Sequence, residues 1–449
     1  MPFTIPQSIR WRTLPAQAFA LLTFVLLPVW YRLPADTPLL GGTDATRFAL
    51  FVPAALTVLC WMCAGLPGVT RLFAHPARAI WASLLLALAL WAYASTAWAY
   101  LGTVYPQVAS SAALVWITAA GFALAVAAIG LSAHAITAVL TFGLVWNGVL
   151  AGQQVAAQAS AGGLWAALKE FPIQSDQAGI SVVVADGVRW LRPYGLLPHP
   201  NLLAGLMVIC LLAGVYVWAT ARQPILFLLI GAGWTLGLWG FLLTFSRGGY
   251  GALMVGALVL LALLHKHRLW RARWWGIVAW AVMVCTVFGL IYHPFLLARA
   301  GVGSENTELY SVGERAMLND AALQTIRLSP WKGVGAGNQP WYAARLLHDA
   351  GAPIAGNYPH SAPLALWGDL GLVGLLLWAG AVGCALWAAG YSITHGDSLP
   401  RAALIAAFAA WLATGITEYA PVTLLHSLLM GWGIVGTALA PPNRPMLES

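Results

Sequence analysis

Charge is what this sequence has least of. Only 8% of its 449 residues are Asp, Glu, Lys or Arg, against roughly a quarter in a soluble domain. A chain so poor in charge cannot wet its surface on all sides. That excludes a soluble enzyme, a disordered chain and a free nucleic-acid binder. Cysteine is scarce as well: the five (Cys60, Cys63, Cys210, Cys285, Cys384) all lie in apolar runs. No disulfide framework is expected. Cys60 and Cys63 have CxxC spacing, but Trp61 and Met62 between them in an apolar segment argue against metal or redox use. No cleavable signal peptide is evident, since Arg10 and Arg12 precede a run that reads as a first span. Neither an internal repeat nor a low-complexity tract stands out.

What the chain has instead is apolar surface: 60% of its residues are hydrophobic, and 24 are Trp. Long apolar runs with many aromatics describe a polytopic membrane protein with aromatic belts. A spanning helix needs roughly 20 apolar residues. Twelve segments qualify: 14–32, 46–65, 79–101, 108–130, 132–152, 199–220, 223–244, 248–265, 274–293, 362–390, 400–418 and 421–440. The expected fold is therefore all-α, with about twelve transmembrane helices.

The net charge of +8 is read as topology. With the N-terminus inside, the short inner segments hold eleven Lys and Arg, including the cluster HKHRLWRAR at 265–273, and the short outer ones hold three. Inner loops of membrane proteins collect Lys and Arg, so both termini are expected in the cytoplasm. Domain boundaries follow: 1–152 with five spans, 153–198 outside, 199–293 with four spans, 294–361 outside, and 362–449 with three spans and a tail. The two outer segments exceed what a connector needs. In the second, Ser311 and Glu314 suggest a capping box, and Pro340 and Gly351 bracket a short helix.

Acids are distributed as unevenly. Twelve of fourteen fall on the outer side or its boundary, leaving only Asp397 and Glu448 inside. Asp369 and Glu418 alone lie within spans, toward outer ends. An ion-coupled transporter should place ionisable groups near the midplane. This chain gathers its polar chemistry at the outer face.

Three constellations stand there. In RPYGLLPHPNLLAG (192–205), Pro200 suits the first position of a helix, with His199 at the cap, Asn201 in the first turn and Arg192 just above; an Arg at lipid headgroups is the plain alternative. TFSRGGYG (244–251) reads as a tight turn permitted by two glycines, with Arg247 facing a polar cavity or an anion. In NYPHSAPLALWGDLGLVG (357–374) a helix starts directly after His360. The positive helix end favours neutral imidazole, which can accept a proton, so His360 qualifies as a general base; a capping His is the plain alternative. The stretch SPWKGVGAGNQPW (329–341) imitates a dinucleotide loop but lacks a βαβ context. Its glycines suit a close approach of backbone to a ligand or another segment. His265 and His267 lack further ligands for a metal site. His426 and Asp369 read as satisfied span residues.

Taken in order, these motifs resemble the O-antigen ligase and polymerase superfamily of membrane glycosyltransferases. RPYGLLPHPNLLAG is similar to its Arg–Gly…Pro–Asn segment, and TFSRGG to its Ser–Arg turn. ERAMLNDAALQTIRLSPWKGVGAGN, with Arg315, resembles the stretch leading into its Gly-x-Gly loop, and HSAPLALWGDLGLVG its His motif. The resemblance covers about residues 190–380. It implies transfer of a glycan from an undecaprenyl pyrophosphate carrier, on the periplasmic side of a bacterial inner membrane. For the ligases the acceptor is a sugar of lipid A–core. His360 then takes the role of the family's essential His. Arg192, Arg247, Arg189 and Arg315 are expected on the pyrophosphate, since guanidinium groups match phosphate oxygens. His199, Asn201, Tyr194 and Lys332 are further contacts drawn from the same motifs. No metal and no cofactor is expected, and the transfer would be inverting. Donor, acceptor and membrane lipids are the expected partners, and nucleic acid is not. An O-antigen polymerase or a protein O-oligosaccharyltransferase shares the chemistry, and a lipid-linked glycan flippase is the rival of another class.

Overall fold

A computed structural model describes residues 7–30, 46–99, 104–265, 268–302, 307–352, 356–394 and 398–441. Its helices are α1 (Gln7–Leu26), α2 (Thr46–Cys63), α3 (Val69–Phe73), α4 (Pro76–Ala94), α5 (Val104–Ile129), α6 (Ala133–Ala157) and α7 (Leu164–Ala167). A hairpin of β1 (Val182–Ala185) and β2 (Val188–Leu191) follows, then α8 (Pro200–Thr220), α9 (Pro224–Leu243), α10 (Arg247–Leu264) and α11 (Arg268–Arg299). The chain continues through α12 (Thr307–Leu328), α13 (Gln339–Asp349), α14 (Ala362–Thr394), α15 (Ser398–Thr414), α16 (Ala420–Thr423) and α17 (Leu425–Leu439). Eight of the described helices are long and apolar enough to cross a membrane, which makes this a multi-pass membrane protein. Each of the twelve expected apolar segments contains a helix. Leu50–Cys63, Leu399–Thr414 and Leu425–Leu439 are apolar but shorter than the eight. Lys266 and His267 of the basic cluster, with Arg32, Asp397, Arg444 and Glu448, lie outside the described residues.

Helix starts follow local chemistry. Pro occupies the first turn of α4, α8 and α9, where its missing N–H costs nothing. Ser132 caps α6 by accepting from Ala135 N, and Ser246 caps α10 by accepting from Gly249 N. α8 is apolar on every face and buried through nearly its whole length, as such a helix must be. α11 instead turns Leu290, Ile291 and Val282 outward, to where lipid would lie. Small residues bring α6 and α9 together: a Cβ on Gly148 would meet Gly237 backbone, and one on Gly240 would meet Gly148. Close backbone approach of this kind substitutes in membranes for the missing hydrophobic drive.

The two long segments have more structure than the sequence suggested. Within 153–198, α6 runs on to Ala157, and an antiparallel hairpin pairs Val182 with Leu191 and Ala185 with Val188. Its turn residues Asp186 and Gly187 both have positive φ, as an Asp-Gly hairpin turn requires. In 294–361, α11 continues past Pro294 to Arg299, with a kink at Tyr292 that the proline explains. α12 starts at Thr307, about a turn before the expected capping box, which places Ser311 inside the helix. The short second helix is present as α13, with Pro340 in its first turn and Gly351 just beyond it at positive φ.

The glycine stretch 333–337 packs against a break in α14. Gly371 has φ 70° and ψ −175° inside that helix, a region open essentially to glycine alone. The carbonyls released there are taken up by the loop: Val334 N donates to Gly368 O and Gly335 N to Asp369 O. In return, Leu372 N donates to Pro330 O and Val373 N to Trp331 O. Asp369 closes the arrangement, accepting from Gly337 N (2.8 Å), Gln339 N (2.9 Å) and Tyr358 Oη (2.7 Å). It is the satisfied buried residue the sequence suggested, and the glycines serve approach to another segment.

Candidate active site

The site forms where the starts of α8, α10 and α14 meet the hairpin and the chain after α15. Gln154, near the end of α6, fixes the approach to α8. Its Oε1 accepts from Tyr194 N and Gly195 N, both at 2.9 Å, and its Nε2 donates to Gly195 O. That places Arg192 in a buried position. Its Nε donates to Thr244 O (2.6 Å), Nη1 to Ser181 Oγ (2.8 Å) and Nη2 to Asn201 Oδ1 (2.6 Å). One guanidinium thus ties the hairpin, the end of α9 and the start of α8 together. Burial, and then the charge of Arg299, lower it to about 9, so it stays charged at neutral pH.

His199 caps α8 as expected, its Nδ1 accepting from Asn201 N at 3.1 Å. Burial first, then the charge of Arg192, lower this imidazole to about 4. It is neutral at neutral pH, which an acceptor nitrogen requires. Asn201 Nδ2 donates to Glu418 Oε1 at 2.6 Å. The other carboxylate oxygen, Oε2, stands 3.5 Å from His360 Nδ1. Burial pushes the Glu418 carboxyl up, but the facing His360 imidazole, then nearby His199 and the Asn201 amide, outweigh it and hold the group below its ordinary value. The His360 ring also meets Tyr419 edge-on, and Tyr419 in turn packs against Tyr358.

These groups line a cavity of about 620 Å³. His360, His199, Asn201, Arg192, Arg189 and Arg315 share its wall, together with Arg299, Glu314, Asn357, Glu418 and Tyr419. A second cavity of about 390 Å³ adjoins it through Asn201, Arg299, Arg315 and Glu418, and carries Arg247. Its far side is apolar, with Val255, Ala252 and Ile416; Ile416 is 73% exposed. The pair of cavities therefore joins a cationic, imidazole-bearing chamber to an apolar groove between α10 and the end of α15.

Most of the expected residues are brought together, and three details differ. Tyr194 does not line either cavity; its hydroxyl accepts from Ser181 N at 2.9 Å and holds the hairpin. Lys332 stands apart as well, its ammonium 5.7 Å from the Trp98 ring. The turn before Arg247 is made by Phe245, at φ 48°, while Gly248 and Gly249 belong to the first turn of α10. Those glycines serve packing, against Thr417 and against Ala204 and Phe241. Arg247 itself donates from Nη1 to Arg299 O at 3.0 Å.

Glu418, Arg299, Asn357 and Tyr419 were not singled out in the sequence as site residues. Glu418 carried a signal, because an acid within an apolar span is seldom there without a role. Arg299 did not, since α11 was expected to end before it.

Residues 231–379 match a family model described as Wzy_C: O-Antigen ligase. The match spans about a third of the chain. The matched segment runs from α9 into α14 and includes Arg247, Arg299, Arg315, His360 and Asp369. Arg189, Arg192, His199 and Asn201 precede it, and Glu418 follows it. No curated protein matches the chain.

Proposed function

We propose that the protein is an O-antigen ligase, transferring glycan from undecaprenyl pyrophosphate to a sugar hydroxyl of lipid A–core at the periplasmic face of the inner membrane. One observation carries this reading. The His360 imidazole opens into a chamber walled by arginines that continues into an apolar groove. Such a chamber suits a substrate that is anionic in the middle, a sugar at one end and a hydrocarbon at the other.

In this mechanism the acceptor hydroxyl gives its proton to His360 as its oxygen attacks the anomeric carbon. The bond from that carbon to the pyrophosphate oxygen breaks, and undecaprenyl pyrophosphate leaves. Attack from the opposite face inverts the anomeric centre. Charge gathers on the departing pyrophosphate, where Arg247, Arg299, Arg315 and Arg189 supply it with donors. Arg192 adds a fixed positive charge and shapes the wall, because three of its N–H groups are committed within the protein. Arginine in this number supplies the counter-charge that a divalent cation supplies elsewhere, so the transfer is proposed as metal-independent.

The test is reconstitution of purified protein with undecaprenyl pyrophosphate-linked glycan, with and without lipid A–core. Glycan on lipid A–core only when both are present is the ligase result. Elongation of the donor alone would make it a polymerase, and movement of donor across the bilayer without a covalent product would make it a transporter.

A further inference from the structure

Polar groups run in one line through the site: Arg192, Asn201, Glu418, His360. Asn201 is fixed at both ends. Its oxygen accepts from Arg192 Nη2 and its nitrogen donates to Glu418 Oε1, each at 2.6 Å. The amide cannot turn over without setting donor against donor at Arg192. Glu418 is thereby held with Oε1 engaged and Oε2 toward His360 Nδ1, at 3.5 Å. His360 Nδ1 is buried, with no nearer partner among the described residues. The ring is 22% exposed on its side chain and faces the chamber.

We infer that Glu418 is a positioning residue that selects the His360 tautomer, holding the proton on Nδ1 and leaving the Nε2 lone pair toward the chamber. A carboxylate only accepts hydrogen bonds, so a neutral ring beside it carries its proton on the near nitrogen. Glu418 is kept ionised by the fixed charge of Arg192 at the hairpin end and by the Asn201 amide, which donates to its Oε1. The direction of the line is set at Arg192, which has no acceptor to offer. The kinetic part of this inference rests on the transfer reaction proposed above; the tautomer does not.

The line also dictates what substitutions do. In Glu418→Gln, the side-chain oxygen must still accept from Asn201, so its NH₂ faces Nδ1. The ring must then accept there and carry its proton on Nε2, which removes the base. Exchanging the two groups repairs this. When Asn201→Asp is combined with Glu418→Gln, the introduced carboxylate accepts from both Arg192 and the new amide NH₂. The amide oxygen is then left to accept from Nδ1–H. The double variant keeps the charge of the site and moves it by one residue.

The experiment is ¹⁵N NMR of histidine-labelled full-length protein in nanodiscs, with His360 assigned by difference against His360→Gln, alongside transfer kinetics. Wild type is expected to show neutral His360 protonated at Nδ1. Glu418→Gln should show it at Nε2, with kcat lowered about 10²–10⁴-fold and KM for donor little changed. The double variant should restore the Nδ1–H tautomer and most of kcat. Wild-type His360 protonated at Nε2 would overturn the inference without any variant being made, as would an unchanged tautomer in folded Glu418→Gln. Absence of transfer by wild type with the expected tautomers would count against the ligase reading alone.

Discussion

Two arginines in the same chamber have different work, and the difference can be measured. Arg192 is 4% exposed and donates to three groups on three segments. Removing it leaves Thr244 O, Ser181 and Asn201 short of a donor inside the protein, at about 1–3 kcal/mol for each buried group left unpaired. Arg315 sits on α12 at the junction of both cavities. Arg192→Ala should lower the melting temperature and the folded yield, whereas Arg315→Ala should melt as wild type does and lose transfer. Thermal melting and size-exclusion profiles beside the transfer assay separate the two. His199 gives a second prediction at this scale. Its imidazole is depressed to about 4 from an ordinary value near 6.5, so the unfolded chain binds the proton before the folded one does. Stability should therefore fall as pH drops through that window. Glu418, also held below its ordinary value, adds loss in the same direction. Asn at position 199 keeps a capping oxygen but does not titrate, so the melting temperature of His199→Asn should decline less steeply between pH 7 and pH 4.

Among the elements, the broken helix α14 and the glycine stretch are one device. The loop satisfies the backbone groups that the break at Gly371 releases, as any interruption in a membrane helix must be satisfied. Asp369 binds the loop to Tyr358, two residues before His360. Gly371→Ala would force φ near 70° on a residue with a Cβ and press it against Trp331 backbone. A loss of about 1–3 kcal/mol from strain alone is expected, read as a lower melting temperature with transfer reduced in proportion to folded protein. The helices were legible in the sequence because apolar runs of spanning length admit few other structures. The start of α8 was legible because His-Pro-Asn states its own cap. The hairpin at 182–191 was not, although an Asp-Gly turn after a run of three valines is a recognisable signal; an outer segment read only for length and charge does not disclose it. The division of labour between Tyr194 and Lys332 on one side and Glu418 and Arg299 on the other was not legible either. Contacts between residues over 200 positions apart, as in Asn201 to Glu418, follow from helix packing that no local pattern states.

At the scale of the whole molecule, a membrane bundle carries the candidate site where the starts of α8, α10 and α14 meet, with an apolar groove beside it. The cationic wall should make transfer independent of divalent metal, so activity in excess chelator should match the untreated rate; loss restored by one added cation would contradict that. The most direct test of the central claim is glycan transfer to lipid A–core by equal amounts of folded wild-type and His360→Ala protein in the same reconstituted membranes. Product is expected with wild type, and a rate about 10²–10⁴-fold lower without the imidazole. Transfer by His360→Ala at the wild-type rate would contradict the proposed role of His360, and would remove the chamber from the reaction.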